Sequence, residues 1–160
     1  MGFNISGIVI DKNLEGKIEK IENSFDWNLQ KEEDIYFEEA MENWKEDGIC
    51  DIYFSKTATL IFVDMETIQD EYKMEDANVL SFVISESSMA FYLNYYENNE
   101  LRRKIMDMNG EIVSEYGDPL DLEDQYQETD ELIWAMIESL LGKSFFKIQN
   151  DEPAVRYLME

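Results

Sequence analysis

The chain has no histidine, one cysteine, two prolines and only 13 basic residues against 37 acidic ones. Each shortage closes off chemistry. Without histidine there is no Ser–His or Cys–His nucleophile pair, no histidine-ligated zinc or iron and no imidazole acid–base catalyst. A lone Cys50 makes no internal disulfide, thiolate cluster or two-cysteine redox motif, and it points to a reducing compartment, the cytoplasm. No apolar run approaches the ~20 residues of a membrane-spanning helix. Nor is there a basic segment followed by an apolar one at the start, so neither leader nor membrane contact is expected. Gly-rich phosphate loops are missing as well. With so few Lys and Arg, direct binding to nucleic-acid phosphate through a basic patch is not expected.

What is present is a foldable, strongly acidic chain. Its 160 residues fit one domain, 44% are apolar and 13% aromatic, and the net charge is −24. Trp27, Trp44 and Trp134 separate it from aromatic-poor acidic tails. The acids are spread evenly, 13 in residues 1–50, 10 in 51–100 and 14 in 101–160, which predicts a charged surface over a core.

Periodicity predicts an α+β fold: an antiparallel sheet, a meander of about five to seven strands, with about three amphipathic helices packed on it. Residues 3–10 form a first strand, with Gly7 as a bulge. The opening MGFNIS also matches a myristoylation pattern, but one acyl chain on so acidic a protein gives little membrane affinity. Leu14, Ile18, Ile21 and Phe25 mark one face of a helix capped by Asn13, and a charged connection around Lys31–Asp34 follows. Phe37, Ala40, Met41 and Trp44 mark a second helix that Gly48 ends. CDIYF and TATLIFV predict a hairpin, with Leu60–Val63 buried on both faces. Asp64–Asn78, with six acids and one lysine, reads as a loop or short irregular helix.

Residues 79–116 predict an antiparallel meander with turns at Ser85–Ser88, Asn98-Asn99 and Asn109-Gly110. A two-residue turn at Asn109-Gly110 sets Met108 opposite Glu111, Met106 opposite Val113 and Lys104 opposite Glu115. Arg102 and Arg103 alternate faces there, as local charge balance. GDPLDLEDQYQETDE (117–131) carries seven carboxylates, about half of them start-of-helix chemistry for a helix through Leu141 capped by Thr129 and stopped by Gly142. KSFFKI and AVRYLM close the chain as a last strand or a cover for the helix.

Carboxylates alone carry little chemical specificity. Among 37 acids, some pair at glycosidase spacing is inevitable. Asp118, Asp121, Glu123 and Asp124 offer oxygen ligands but lack the EF-hand order. Ser85, Ser87 and Ser88 have no base. No cofactor or metal is expected. A net charge of −24 does exceed the ~2–8 that keep a small domain soluble, and such a field speeds encounter with a basic partner. The expected binding residues are Asp64, Glu66, Asp70, Glu71, Glu75 and Asp76 in one run, and Asp118, Asp121, Glu123 and Asp124 in another. Tyr116 is the expected aromatic anchor, with Tyr92, Tyr95 and Tyr96 as further candidates.

The stretch NYYENNELRRKIMDMNGEIVSEYGDPLDLE, followed by a helix, resembles small acidic bacterial immunity proteins of polymorphic toxin systems over residues 94–141. There too a strand, an NGE-type hairpin, a second strand and a G-x-P-L exit precede a helix. The resemblance implies a non-enzymatic inhibitor that occludes a basic toxin or nuclease-like enzyme. Two other classes remain open on the residues: a scaffold whose acidity serves solubility, and a carboxylate- or metal-dependent hydrolase. The sequence leaves the oligomeric state undecided.

Overall fold

A computed structural model describes residues 2–69 and 71–160. It is an α+β arrangement built on one nine-stranded sheet, more strands than the five to seven expected. The strands are β1 (Asn4–Ile10), β2 (Leu29–Tyr36), β3 (Ile49–Phe54), β4 (Thr59–Val63), β5 (Asn78–Ser85), β6 (Ala90–Glu97), β7 (Glu100–Met108), β8 (Glu111–Tyr116) and β9 (Pro153–Met159). Their order across the sheet is β2-β9-β3-β4-β1-β5-β6-β7-β8, and every neighbouring pair is antiparallel. Helix α1 (Ile18–Phe25) covers one face, while α2 (Phe37–Ala40) and α3 (Thr129–Leu141) lie on the other.

Alternation along the central strands builds both cores. Ile8 and Ile10 of β1 join Ile61, Val63 and Val79 under Ile21 and Phe25 of α1. Ile5 and Val9 point the other way, with Leu60, Phe62, Leu80 and Phe82, to meet Leu132, Ile133, Met136 and Ile137 of α3. Strands β1 and β4 are buried along their whole length, as the unbroken apolar run in β4 predicts. Gly7 is no bulge. It pairs in register with Phe62 and Phe82, and an added Cβ would lie 2.3 Å from the Ile61 carbonyl oxygen.

Four expectations change at the sheet's periphery. The charged stretch around Lys31–Asp34 is a strand, β2, antiparallel to β9. It is an edge strand, and charges on its exposed residues discourage pairing with other chains. Helix α1 starts at Ile18, because the Asn13 side chain accepts from the Glu15 amide (2.8 Å) and donates to the Ser55 carbonyl (2.8 Å). The second helix is a single turn. Beyond Ala40, Asn43 and Trp44 hydrogen-bond to the backbone of Asn4, and Lys45 turns in to Asp51, leaving Trp44 exposed. Thr129 does not cap α3; its hydroxyl donates to Asp107 Oδ2 at 2.7 Å. Gly142 ends that helix in the left-handed conformation, as expected.

Candidate interaction surface

The meander ends at β8, whose outer side has no partner strand among the described residues. All six of its residues are exposed. Among the described residues eight large apolar side chains are exposed, and five belong to this end of the sheet. Met89, Met108, Ile112, Val113 and Tyr116 stand at 42–56% exposure. Apolar side chains gathered on an open edge are the arrangement that soluble proteins usually avoid.

Along the chain the charge over residues 105–142 is of one sign, although Arg102, Arg103 and Lys104 of β7 lie beside β8. Residues 105–142 contain eleven Asp or Glu and no Lys or Arg. Glu111, Glu115, Asp118, Asp121, Asp124, Glu128 and Glu131 are all exposed. They follow one another along β8, through the connection and into α3; Glu115 looks to the side that α3 covers, whereas Glu111 pairs with Met108 and looks to the other.

A buried arginine holds this region in shape. Both Asn109 and Gly110 have positive φ, as the turn requires, but a bulge follows between Met106 and Asp107. It moves the register by one: Met106 faces Ser114 and Lys104 faces Tyr116, so the expected Lys104–Glu115 pair does not form. Arg103 takes Glu115 instead, at 3.2 Å. Its side chain points inward, and all five guanidinium protons are used. Nε and Nη2 donate to Glu123 at 2.9 and 2.8 Å, Nη1 donates to the carbonyls of Tyr116 and Gly117, and Nη2 also reaches Glu115.

Glu123 is therefore a brace between β7 and the 117–124 connection, and it also accepts from the Leu120 amide at 2.6 Å. Burial pushes its carboxyl up, but the Arg103 and Leu120 hydrogen bonds and the Arg103 charge outweigh that and hold it below the ordinary range. A cavity of about 290 Å³ opens beside this brace, lined among others by Ile112, Glu115, Tyr126, Gln127 and Glu128. On the opposite face Met65, Val83, Tyr92, Met106 and Met108 line an apolar groove of about 310 Å³.

The two expected acidic runs are not brought together. Leu120, Leu122 and Tyr126 join the core under α3, whereas Ile68, Tyr72 and Met74 join the core under α1. Asp118, Asp121 and Asp124 are exposed beside β8, and Tyr116 is exposed on it. In the other run Asp64 is buried and accepts from the Thr67 hydroxyl, while Glu66, Glu71, Glu75 and Asp76 are exposed. Asp70 lies outside the described residues. Lysines share that neighbourhood: Lys12, Lys20 and Lys73 line one cavity with Glu75 and Asp76. Tyr95 and Tyr96 are buried, and burial together with the Glu71 hydrogen bond and charge pushes the Tyr96 hydroxyl up.

The sequence reading missed Met89, Met108, Ile112 and Val113. The signal was there, since the last strand of a meander is an edge unless a later strand returns to it, and β9 returns to the far end. Among the described residues no group of three or more Cys, Asp or Glu is placed to hold a metal ion. Cys50 is fully buried, and burial, with the neighbouring Asp51 charge, pushes its thiol far above the ordinary value. No helix among the described residues is long and apolar enough to cross a membrane. Compared with known proteins, the chain matches no family model, no curated protein and no solved structure.

Proposed function

We propose that this chain is a non-enzymatic binding protein that neutralises a basic partner, a toxin or nucleic-acid-acting enzyme, through a carboxylate surface. One observation carries the reading: eleven acids and no base over residues 105–142, set around exposed apolar side chains on an open strand. Long-range attraction steers a cationic protein to such a surface, and Tyr116, Ile112 and Val113 supply the desolvated contacts that charge alone does not. The 64–76 run, interleaved with lysines, contributes to the general field. The resemblance of residues 94–141 to immunity proteins agrees with this role, and the reduced, buried Cys50 agrees with action in the cytoplasm.

The test is affinity capture on the purified chain from lysate of its own source, washed at low and at high salt, followed by activity assays on what is retained. A basic protein held at low salt, released at high salt and inactivated by the purified chain is the expected result. Retention that ignores salt, or a retained basic protein whose activity the chain leaves untouched, refutes the proposal.

A further inference from the structure

The unpaired edge of β8 has its own chemistry. A strand at the side of a sheet presents a row of unpaired amide and carbonyl groups, a template for another strand. The two edges of this sheet differ in what stands beside that template. On β2, residues 30–34 read Gln-Lys-Glu-Glu-Asp, all exposed, with Lys31 and Asp34 paired at 3.0 Å. On β8, Ile112 and Val113 stand between Glu111 and Glu115, and the nearest exposed charges are all negative. The first edge carries charges of both signs along its length, and the second carries only Glu111 and Glu115, on either side of Ile112, Val113 and Ser114.

We infer that β8 accepts an extended basic segment of the partner as a tenth strand of the sheet. This rests on the reading of the chain as a binder of basic proteins and names where and how that partner docks. Charge complementarity selects the occupant. A second copy would bring −24 against −24, whereas a Lys- or Arg-bearing segment meets carboxylates. Six residues of β8 offer about 20 Å of edge, room for about six residues of guest.

The faces of β8 also set the pattern of that guest. Ile112 and Glu115 pair with Asp107 and Ile105 and look toward the α3 side, where the cavity beside Glu115 and Glu128 opens. Ser114 and Tyr116 pair with Met106 and Lys104 and look to the other side, beside the methionine-lined groove. Side chains of an added strand alternate between these faces. Basic side chains therefore fall on the α3 side, beside Glu115 and Glu128, and apolar ones on the other, where Met106 and Met108 line the groove and Lys104 offsets Glu111.

The probe is a blocked peptide of about seven residues alternating lysine and valine, compared with the same sequence N-methylated at alternate amides. Amide hydrogen exchange of the whole protein is followed by NMR at low salt, free and with peptide at about ten times its Kd. Near-full occupancy should slow exchange at the outward amides of β8 about tenfold. The methylated peptide should not do so, and neither should the plain peptide with the Val113→Lys variant, whose exposed site leaves the melting temperature unchanged.

Equal binding of both peptides, or binding without slowing at β8, overturns strand addition and leaves the acidic-binder reading standing. A free protein that is already dimeric and protected at β8 overturns it in favour of a second copy. If the peptide fails to bind while a captured basic protein still does, the inference falls alone. Failure of that capture refutes the broader reading separately.

Discussion

Removing the Glu123 carboxylate tests whether the acidic connection after β8 is braced or merely solvated. Glu123→Ala deletes two hydrogen bonds to Arg103 and one from the Leu120 amide, and strands a guanidinium that is 4% exposed. Removing one member of a buried ion pair costs about 3–5 kcal/mol. Glu115 stays within reach of Arg103, and the Glu123 side chain is 18% exposed, so the low end applies, about 3 kcal/mol. In a chain of this size that lowers the melting temperature by about 6–12 °C. Arg103→Met should cost less, because Glu123 keeps the Leu120 amide and some water. The double variant Arg103→Met/Glu123→Ala should then be far milder than the sum, with a coupling of about 2 kcal/mol.

The same brace sets an acid dependence. The Glu123 carboxyl is held below its ordinary value by Arg103 and the Leu120 amide against the opposing effect of burial. Its contribution is present above the unfolded-chain value near pH ~4.3 and is lost as pH falls through the lowered folded value. The gap between the native protein and Glu123→Gln should therefore close in acid and stay constant from about pH 5 to 8. Urea unfolding across that range measures it. A cost below about 0.5 kcal/mol at neutral pH, or additive single variants, refutes the bracing argument.

Asp51 is fully buried and joins Arg156 at 2.8 Å and Lys45, so Asp51→Ala leaves two cations facing each other; about 3–5 kcal/mol should be lost, read by thermal unfolding. An unchanged melting temperature contradicts that account of the triad. Gly117 has φ +85, and a Cβ there would lie 2.1 Å from the Arg102 carbonyl oxygen. Gly117→Ala should destabilise by at least about 2 kcal/mol and perturb the Arg103 cluster, whereas Gly110→Ala, which meets no neighbour, should cost only the φ penalty of about 1 kcal/mol. Equal effects at the two sites refute the steric reasoning.

Much of the fold was legible because its signals are local. The meander follows from period-two runs and Asn-rich turns, and α3 from its apolar face and terminal Gly142. What escaped depends on partners distant in the chain. The stretch around Lys31–Asp34 reads as a charged connection because the strand it pairs with is β9, which the sequence places at the far end. Residues 41–45 carry helical spacing, yet bonds from Asn43, Trp44 and Lys45 to β1 and β3 outweigh helix continuation. The bulge at Met106–Asp107 leaves no mark in composition, and it decides that Arg103 and not Lys104 meets Glu115. The candidate surface was half legible. Asp118–Asp124 and Tyr116 fall on it, but its apolar members become visible only once β8 is known to stay an edge.

The central claim is tested by comparing charge removal around β8 with charge removal in the 64–76 run. One variant carries Glu111→Gln, Asp118→Asn and Asp121→Asn, beside β8; the other carries Glu66→Gln, Glu75→Gln and Asp76→Asn, in the run that packs against α1. Each removes the same charge from exposed positions. Affinity for the captured basic protein is measured over a range of salt concentrations. A loss of at least about tenfold and a shallower salt dependence are expected for the first variant, with a small change for the second. Equal losses from both would show that only the diffuse field matters and would contradict a binding surface built on β8.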